Sequence, residues 1–288
     1  MQFNLDWNKI DRLIDIAIEE DIGSIDITSN ILIQKNINIY SNIITNENCI
    51  CCGIPIIDRI LKRISPDIVC TYFAEDGDSI IANSRIINLN GNANIILSIE
   101  RILLNFLQRL SGIATEANKY VELLKETNIK LLDTRKTIPG YRNLEKYAVY
   151  TGGGTNHRMG LYDGIIVKDN HLSCLFKIHN TDNYDIIYKE IDETIKKHSS
   201  KIIVEIETIE QFKQILRFNE IKRVILDNMT CNDIKEVINM NNRNMILEVS
   251  GGINLNNIKE ISKFDIDFIS VGAITHSARF IDMSLNIV

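Results

Sequence analysis

Apolar residues recur at helical spacing near the start of the chain. Ile10, Leu13, Ile14, Ala17 and Ile18 occupy positions i, i+3, i+4, i+7 and i+8, which predicts an amphipathic helix over residues 8–20. A second stretch repeats this spacing before residue 112, with Ile99, Ile102, Leu103, Phe106, Leu107 and Leu110 on one face. Two helices that each bury one face are therefore expected in the first part of the chain.

Residues 38–100 show a different pattern, in which short apolar runs are separated by turn-forming residues. These turn signals are Cys52-Gly53, Asp76-Gly77-Asp78 and Asn90-Gly91-Asn92. Short runs divided in this way are typical of an antiparallel sheet.

From about residue 128, short apolar strands alternate with helical stretches, which predicts βα units and a parallel sheet. The predicted strands are residues 129–132, 164–167, 202–204, 224–226, 246–249 and 268–271. Polar, ionisable or glycine residues follow every one of them. In a (β/α) barrel these carboxyl ends open on one face, so the pattern predicts an active site there.

Charge and composition exclude several classes of protein. The 288 residues include 32 Lys+Arg and 38 Asp+Glu, a formal charge of −6 without a basic run, which disfavours nucleic-acid binding. No stretch approaches the roughly 20 apolar residues of a membrane span, and we expect a cytoplasmic protein.

The cluster Cys49, Cys51 and Cys52 has no second Cys/His pair at zinc spacing. Buried, reduced thiols are the preferred interpretation.

The predicted strand ends bring together cations, acids and glycine turns. The cations are Arg135, Lys136, Arg158 and Lys168, accompanied by the ionisable His157. Guanidinium groups bind carboxylate or phosphate in a bidentate manner, and glycine turns before a helix, here at 250–252 and 272–273, bind phosphate. Such a set suits a substrate with several negative charges.

Two acids, Glu205 and Asp227, need a separate explanation. They could bind ribose hydroxyls, hold Mg²⁺ on a pyrophosphate, or stabilise a developing oxocarbenium charge. Only one of Glu205 and Glu207 is expected to face the site. We expect Glu205 to face it, with Glu207 as the alternative.

Three motifs carry a resemblance to a known family. Residues 133–140 (DTRKTIPG), 152–158 (GGGTNHR) and 168–171 (KDNH) resemble quinolinate phosphoribosyltransferase, the decarboxylating nicotinate-nucleotide pyrophosphorylase. Further matches lie at 20–23, 26–29, 100–101, 105–114, 226–229, 250–252 and 270–277. The resemblance implies an N-terminal α/β sandwich domain at 1–113, joined by 276–288, and an incomplete (β/α) barrel at 114–275. It also implies a homodimer whose active sites borrow residues from the neighbouring subunit.

The reaction implied by the resemblance joins quinolinate to phosphoribosyl pyrophosphate with Mg²⁺, giving nicotinate mononucleotide, pyrophosphate and carbon dioxide in NAD biosynthesis.

The resemblance also implies roles for individual residues. The two quinolinate carboxylates would be surrounded by Arg135, His157, Arg158 and Lys168, with Arg101 contributed across the dimer interface. Lys136 would assist at the pyrophosphate or the adjacent carboxylate. Glu205 and Asp227 would lie near the ribose and its metal-bound diphosphate. The 5′-phosphate would be held by Ser250, Gly251, Gly272 and His276. Lys136, Lys168, Glu205 and Asp227 are the expected catalytic residues.

The chain departs from the family pattern at Ile25, where a glycine is expected, at Tyr150, where an arginine is common, and in a longer 172–200 segment.

Three alternative functions remain open. A homologue accepting another base is disfavoured by the complete carboxylate-binding set. A Schiff-base lyase using Lys168 is chemically possible. A non-catalytic sensor of pyridine diacids leaves Glu205 and Asp227 without a use.

Overall fold

A computed structural model describes residues 3–198, 202–242 and 245–288. By their contacts, the described residues divide into two compact units. The first unit comprises the residues up to Lys119, Lys136–Gly154 and Ala273–Val288, and the second comprises Tyr120–Arg135 and Thr155–Gly272.

The elements follow one another in chain order. Up to residue 124 they are α1 (Trp7–Asp21), α2 (Ile27–Leu32), β1 (Asn38–Thr45), β2 (Cys49–Ile50), α3 (Ile54–Ile64), β3 (Val69–Tyr72), β4 (Ser79–Ile80), β5 (Arg85–Asn92) and α4 (Ala93–Leu124). They continue as β6 (Lys130–Leu132), α5 (Arg142–Thr151), β7 (Ile165–Val167), α6 (Asp169–His179), α7 (Tyr184–His198), β8 (Ile202–Ile206) and α8 (Ile209–Ile215). The last are β9 (Arg223–Asp227), α9 (Cys231–Asn241), β10 (Ile246–Ser250), α10 (Ile258–Ile261), β11 (Phe268–Ser270), α11 (Ala273–His276) and β12 (Met283–Ile287).

The two predicted helices of the first part of the chain are confirmed as α1 and α4. Asp6 caps α1 by accepting from the Lys9 N–H at 3.3 Å, and Ile10 and Ile14 are fully buried on its apolar face. Helix α4 is far longer than its predicted segment because the apolar spacing continues through Ile113, Ala117 and Tyr120, all of them buried. The predicted domain boundary between residues 113 and 114 falls inside this helix.

The predicted antiparallel sheet is present in the first unit, with strand order β12-β1-β5-β3. One turn signal was wrong: Asn90-Gly91-Asn92 lies within β5 and pairs with β1. At Gly91 an added Cβ would come 3.0 Å from Cγ1 of Ile68. The glycine therefore permits a close approach and does not form a turn.

All six predicted strands of the second unit are confirmed in one parallel sheet, with strand order β6-β11-β10-β9-β8-β7. Thr155 forms a parallel bridge with Leu132 on the outer side of β6. The segment that starts at Thr155 therefore continues the sheet beyond β6, and this unit has the character of an incomplete barrel. The long 172–200 segment includes most of α6 and α7, so two helices connect β7 to β8.

The register of this sheet separates its polar from its apolar side chains. Ser250 lies beside Asp227, and Glu205 beside Ile225, which also neighbours Glu248. Since parallel neighbours point the same way and residues i and i+2 share a face, the polar members of this set line one face of the sheet. The other face carries Val224, Leu226, Leu247 and Val249, all at most 1% exposed.

Cys49, Cys51 and Cys52 are buried with free thiols in the first unit. Burial raises the pKa of each of these thiols, which keeps them in the unreactive protonated form. In the part of the chain that the structure describes, no helix combines the length and apolar character that a bilayer requires.

Candidate active site

Nine of the predicted site residues belong to the second unit. They are Arg135 after β6, His157 and Arg158 in the segment beyond it, Lys168 after β7, Glu205 in β8, Asp227 and Ser250 at the ends of β9 and β10, Gly251, and Gly272 after β11. The parallel strands direct these carboxyl ends to one edge of the sheet, as the sequence predicted.

Lys168 and Glu205 form an ion pair between the ends of two neighbouring strands. The lysine side chain is 38% exposed and the glutamate side chain 13% exposed, so the pair remains open to solvent. Glu207 is exposed, and its backbone N–H donates to Oε1 of Gln211 at 2.8 Å. Glu205, and not Glu207, therefore contacts the predicted lysine.

Arg158 holds a buried donor that no other described group satisfies. One guanidinium nitrogen, Nη1, donates to the Gly164 carbonyl at 2.6 Å, but Nε is buried and lacks an acceptor among the described residues. Burial, and after it the positive charge of Arg135, lowers the pKa of Arg158, while Glu205 opposes them. An unsatisfied buried donor costs about 1–3 kcal/mol. An anionic ligand such as a carboxylate would supply the missing acceptor.

The segment carrying Arg158 is anchored by a residue whose role the sequence analysis missed. Asp133 is fully buried, and its carboxylate accepts from the Asn156 side chain at 2.6 Å and from the His157 N–H at 2.8 Å. The sequence showed Asp133 as the first polar residue after a strand and as the first residue of the 133–140 motif. Its partners lie over twenty residues away, so the pattern held no signal for the contact.

Glu248 and Arg223 were also missed. Glu248 is 1% exposed and accepts from Nη2 of Arg223 at 2.6 Å and from the Ser270 hydroxyl. Burial raises its pKa, but His157, Arg223 and Ser270 outweigh this effect, so that the pKa of Glu248 is lowered overall. An acid inside the predicted apolar strand 246–249 was the available signal, since buried parallel strands are otherwise nearly continuous in apolar residues.

The turns after β9 and β10 pack against each other. The Asn228 N–H donates to the Ser250 carbonyl at 2.9 Å, and the Asn228 amide donates to the Asp227 carboxylate at 2.9 Å. Gly251 has a φ of +88°, and a Cβ there would come 2.2 Å from Oδ1 of Asn228. Only glycine fits this turn, which brings its backbone close to Asp227.

Comparisons with known proteins decide which family uses this arrangement. The family model described as "Quinolinate phosphoribosyl transferase, C-terminal domain" matches residues 113–286, and the corresponding N-terminal domain model matches residues 26–111. The chain belongs to the quinolinate phosphoribosyltransferase family. The resemblance carried by the three motifs is thereby confirmed.

Individual relatives of this family match over nearly the whole chain. The "Probable nicotinate-nucleotide pyrophosphorylase [carboxylating]" of Methanocaldococcus jannaschii is 36% identical, covering 96% of each chain. The chloroplastic enzyme of the same name from Arabidopsis thaliana is 34% identical, covering 96% of this chain and 82% of its own. The solved nicotinate-nucleotide pyrophosphorylase of Francisella tularensis is 37% identical, with a TM-score of 0.90, covering 99% of this chain and 98% of its own.

Three residues expected at the site of a quinolinate phosphoribosyltransferase belong to the first unit. Arg101 is exposed on α4, and Lys136 and His276 are exposed in the loops before α5 and at the end of α11. The Thr275 hydroxyl donates to the Lys136 carbonyl at 2.8 Å. This bond connects the segments that carry Lys136 and His276.

The acids of the second unit fit the Mg²⁺ that the family implies. Among the described residues no group of three or more His, Cys, Asp or Glu side chains could hold a metal ion by itself. Magnesium, however, usually binds through one or two carboxylates together with substrate phosphates. Glu205 and Asp227, on neighbouring strands and the same face, are suited to that mode.

Proposed function

We propose that this chain transfers the phosphoribosyl group of phosphoribosyl pyrophosphate to quinolinate with loss of carbon dioxide, giving nicotinate mononucleotide and pyrophosphate for NAD biosynthesis. The observation that carries the proposal is the buried Nε of Arg158, which lacks an acceptor among the described groups and lies within the electrostatic influence of Arg135. A cationic, partly desolvated position of this kind favours a ligand with closely spaced carboxylates. Membership of the family supports the identity of that ligand.

Quinolinate is bound mainly by charge. One carboxylate takes the Arg158 and Arg135 donors, and the other competes with Glu205 for the Lys168 ammonium. Because Lys168 and Glu205 are paired before the ligand arrives, binding exchanges one carboxylate partner of the lysine for another. His157 adjoins this set as the neighbour of Arg158. The bound ring is held with its nitrogen toward the sugar, which lowers the entropic cost of the transfer.

Ribosyl transfer builds positive charge on the sugar as pyrophosphate leaves. Glu205, released from Lys168, and Asp227 stabilise that charge from the same face of the sheet. Glu205 and Asp227 would hold a Mg²⁺, directly or through the diphosphate, and the ion would neutralise charge on the leaving pyrophosphate.

Attachment of the ring nitrogen to the anomeric carbon creates a pyridinium. When the adjacent carboxylate leaves as carbon dioxide, the electron pair of the broken C–C bond remains on the ring carbon beside the positive nitrogen, and that carbon then takes up a proton. The substrate therefore supplies its own electron sink. The chain needs only to position the diacid and exclude water.

The remaining assignments follow the family resemblance. Ser250, Gly251 and Gly272 hold the 5′-phosphate together with His276, and Lys136 assists at the pyrophosphate or a carboxylate. Arg101, exposed on α4, serves the active site of a second subunit in a homodimer. A cytoplasmic location stays a prediction.

The test is single-turnover release of labelled carbon dioxide from quinolinate labelled in its 2-carboxyl group. Release that requires phosphoribosyl pyrophosphate and yields nicotinate mononucleotide supports the proposal, and absence of release with both substrates present contradicts it.

Borohydride treatment in the presence of carbonyl substrates distinguishes the Schiff-base lyase from phosphoribosyl transfer. No covalent adduct at Lys168 is expected, because its ammonium is engaged by Glu205.

A further inference from the structure

A buried carboxylate that none of the proposed roles uses lies beneath the strand ends of the second unit. Glu248 is in the middle of β10, two residues before Ser250 and on the same face. A buried acid in contact with His157, beside a site proposed for a dianion, requires a reason, because it repels the ligand unless its charge is compensated.

Arg223 and Ser270 compensate most of this charge. Oε2 of Glu248 accepts from Nη2 and Nε of Arg223 at 2.6 and 3.2 Å, and the guanidinium lies 4.3 Å from the ring centroid of Phe268. Oε1 accepts from the Ser270 hydroxyl. The carboxylate is thus fixed with Oε2 committed to Arg223, while Oε1 faces the segment beyond β6.

That segment presents the imidazole of His157 to Oε1. The Arg158 N–H donates to Nδ1 of His157 at 2.7 Å, so Nδ1 carries the lone pair and the proton of the neutral ring lies on Nε2. Nε2 is 3.6 Å from Oε1 of Glu248, slightly beyond hydrogen-bond distance but close enough for the Nε2–H dipole to interact with the carboxylate charge. Both ring nitrogens therefore face protein groups, and the side chain is only 11% exposed.

We propose that Glu248 is a positioning residue of the quinolinate site, which orients the His157 ring so that His157 fixes the backbone of Arg158. Resting on the proposed function, this assignment explains why Arg158 presents a free donor. Its backbone is held by His157 and its Nη1 by the Gly164 carbonyl at 2.6 Å. The guanidinium is thereby preorganised for the substrate carboxylate.

The variant Glu248→Gln tests the link with little change of shape. Arg223 donates to the atom at the ε2 position, so the amide oxygen of the glutamine takes that position and its NH₂ group turns toward His157. The glutamine NH₂ group then faces the Nε2–H of His157. Because both groups are donors, no favourable contact forms and the orientation of the His157 ring is lost. We expect the KM for quinolinate to rise about tenfold or more, the KM for phosphoribosyl pyrophosphate to stay within about twofold, and the effect of Glu248→Gln to vanish in a His157→Gln background.

A measurement without substrate separates this inference from the proposed function. In protein labelled with ¹³C and ¹⁵N histidine, five signals are expected, and the signal absent in His157→Gln belongs to residue 157. The inference predicts an Nε2–H tautomer at His157 in the wild-type protein and its loss or averaging in Glu248→Gln. Failure of quinolinate to bind at all would refute the proposed function while leaving this result intact.

A second variant guards against a folding defect in Glu248→Gln. The pair Arg223→Met with Glu248→Met replaces the buried charges by apolar groups of similar length, a change that commonly preserves folding. It must show the same selective rise in the KM for quinolinate. The inference is overturned if this folded variant binds quinolinate as the wild type does, if both KM values rise together, or if the His157 tautomer is unchanged.

Discussion

Two ion pairs, one in each unit, show how the same chemistry serves different ends. In the first unit, Arg109 donates to Glu145 at 2.5 Å and also to the Thr275 and Ala278 carbonyls at 2.7 Å each. Glu145 completes its bonding by accepting from the Ile138 N–H at 3.1 Å and is fully buried. This pair connects α4, α5 and the segments that carry Lys136 and His276.

In the second unit, Lys168 and Glu205 share a contact that reaches solvent, and each retains bonding capacity toward a ligand. A buried pair whose two charges also bond to surrounding backbone groups holds those groups in place, whereas an open pair can exchange partners. The difference predicts that the first pair governs stability and the second governs turnover.

The largest effect is expected at the open pair. Lys168→Ala should reduce single-turnover carbon dioxide release by at least about 1,000-fold, because it removes a cation that contacts the reacting diacid. Lys213→Ala, which breaks an exposed pair with Glu210, is the matched control and should leave release unchanged. Arg135→Ala should resemble Lys168→Ala. Normal release in either variant would contradict the assignment.

At the buried pair the expected loss is in stability. Glu145→Gln leaves the Arg109 charge without its counterion in a buried setting, and should lower the free energy of unfolding by about 3–5 kcal/mol. Urea denaturation measures it. Glu210→Gln, at a side chain that is 74% exposed, should change stability by at most about 1 kcal/mol. Equal losses in the two variants would remove the distinction between the buried and exposed pairs.

A smaller effect is expected at the turn after β10. Gly251→Ala places a Cβ 2.2 Å from Oδ1 of Asn228, which should displace the turn and raise the KM for phosphoribosyl pyrophosphate about tenfold. Gly252→Ala is the control: its φ is also positive, at +64°, but a Cβ there meets nothing within 4 Å. If both variants raise the KM alike, backbone strain and not the Asn228 contact is responsible.

The smallest effect concerns two carboxyls with opposite pKa shifts. Burial raises the pKa of Asp76 in the first unit, so its contribution to stability is complete below its ordinary pKa and is lost as the pH rises through the folded value. The pKa of Glu248 is lowered, so its contribution is present above about pH 4.5 and is lost as the pH falls.

Free energies of unfolding measured between pH 7 and 3 check these signs, because the lowered pKa of Glu248 places its titration below pH 4.5. The stability difference between the wild type and Glu248→Gln should shrink as the pH falls, whereas that between the wild type and Asp76→Asn should change in the opposite direction. If the stability difference from the wild type changed with pH in the same direction for both variants, the opposite pKa shifts of Asp76 and Glu248 would be contradicted.

The sequence predicted elements whose periodicity is local. All six parallel strands and α1 were found from spacing alone, and so were the polar strand ends that supply Arg135, Lys168 and Asp227. The motifs then supplied the family. The choice between Glu205 and Glu207 did not follow from alternation, because residues i and i+2 share a face. The structure decides it: β8 ends at Ile206, Glu207 lies beyond the strand, and Glu205 contacts Lys168.

Contacts between distant segments could not be predicted in this way. The Glu248 contact with His157 joins residues that are neighbours only after the sheet forms, and Asn90-Gly91-Asn92 belongs to a strand because Gly91 packs against Ile68. Local propensity favours a turn at such a sequence, but tertiary packing overrides it.

Under the proposed function, the cations of the second unit form one site for an aromatic dianion at the carboxyl ends of its strands. A cavity of about 870 Å³ reaches the amino ends of the strands at Arg223, Ile246 and Phe268 and is also lined by His157 and Arg158. It offers a competing location that shares Arg158 but not Arg135 or Lys168. A crystal structure with bound quinolinate decides between them. We expect both carboxylates on Arg135, Arg158 and Lys168, with Lys168 released from Glu205. Quinolinate in the amino-end cavity, with the Lys168–Glu205 pair intact, would contradict it.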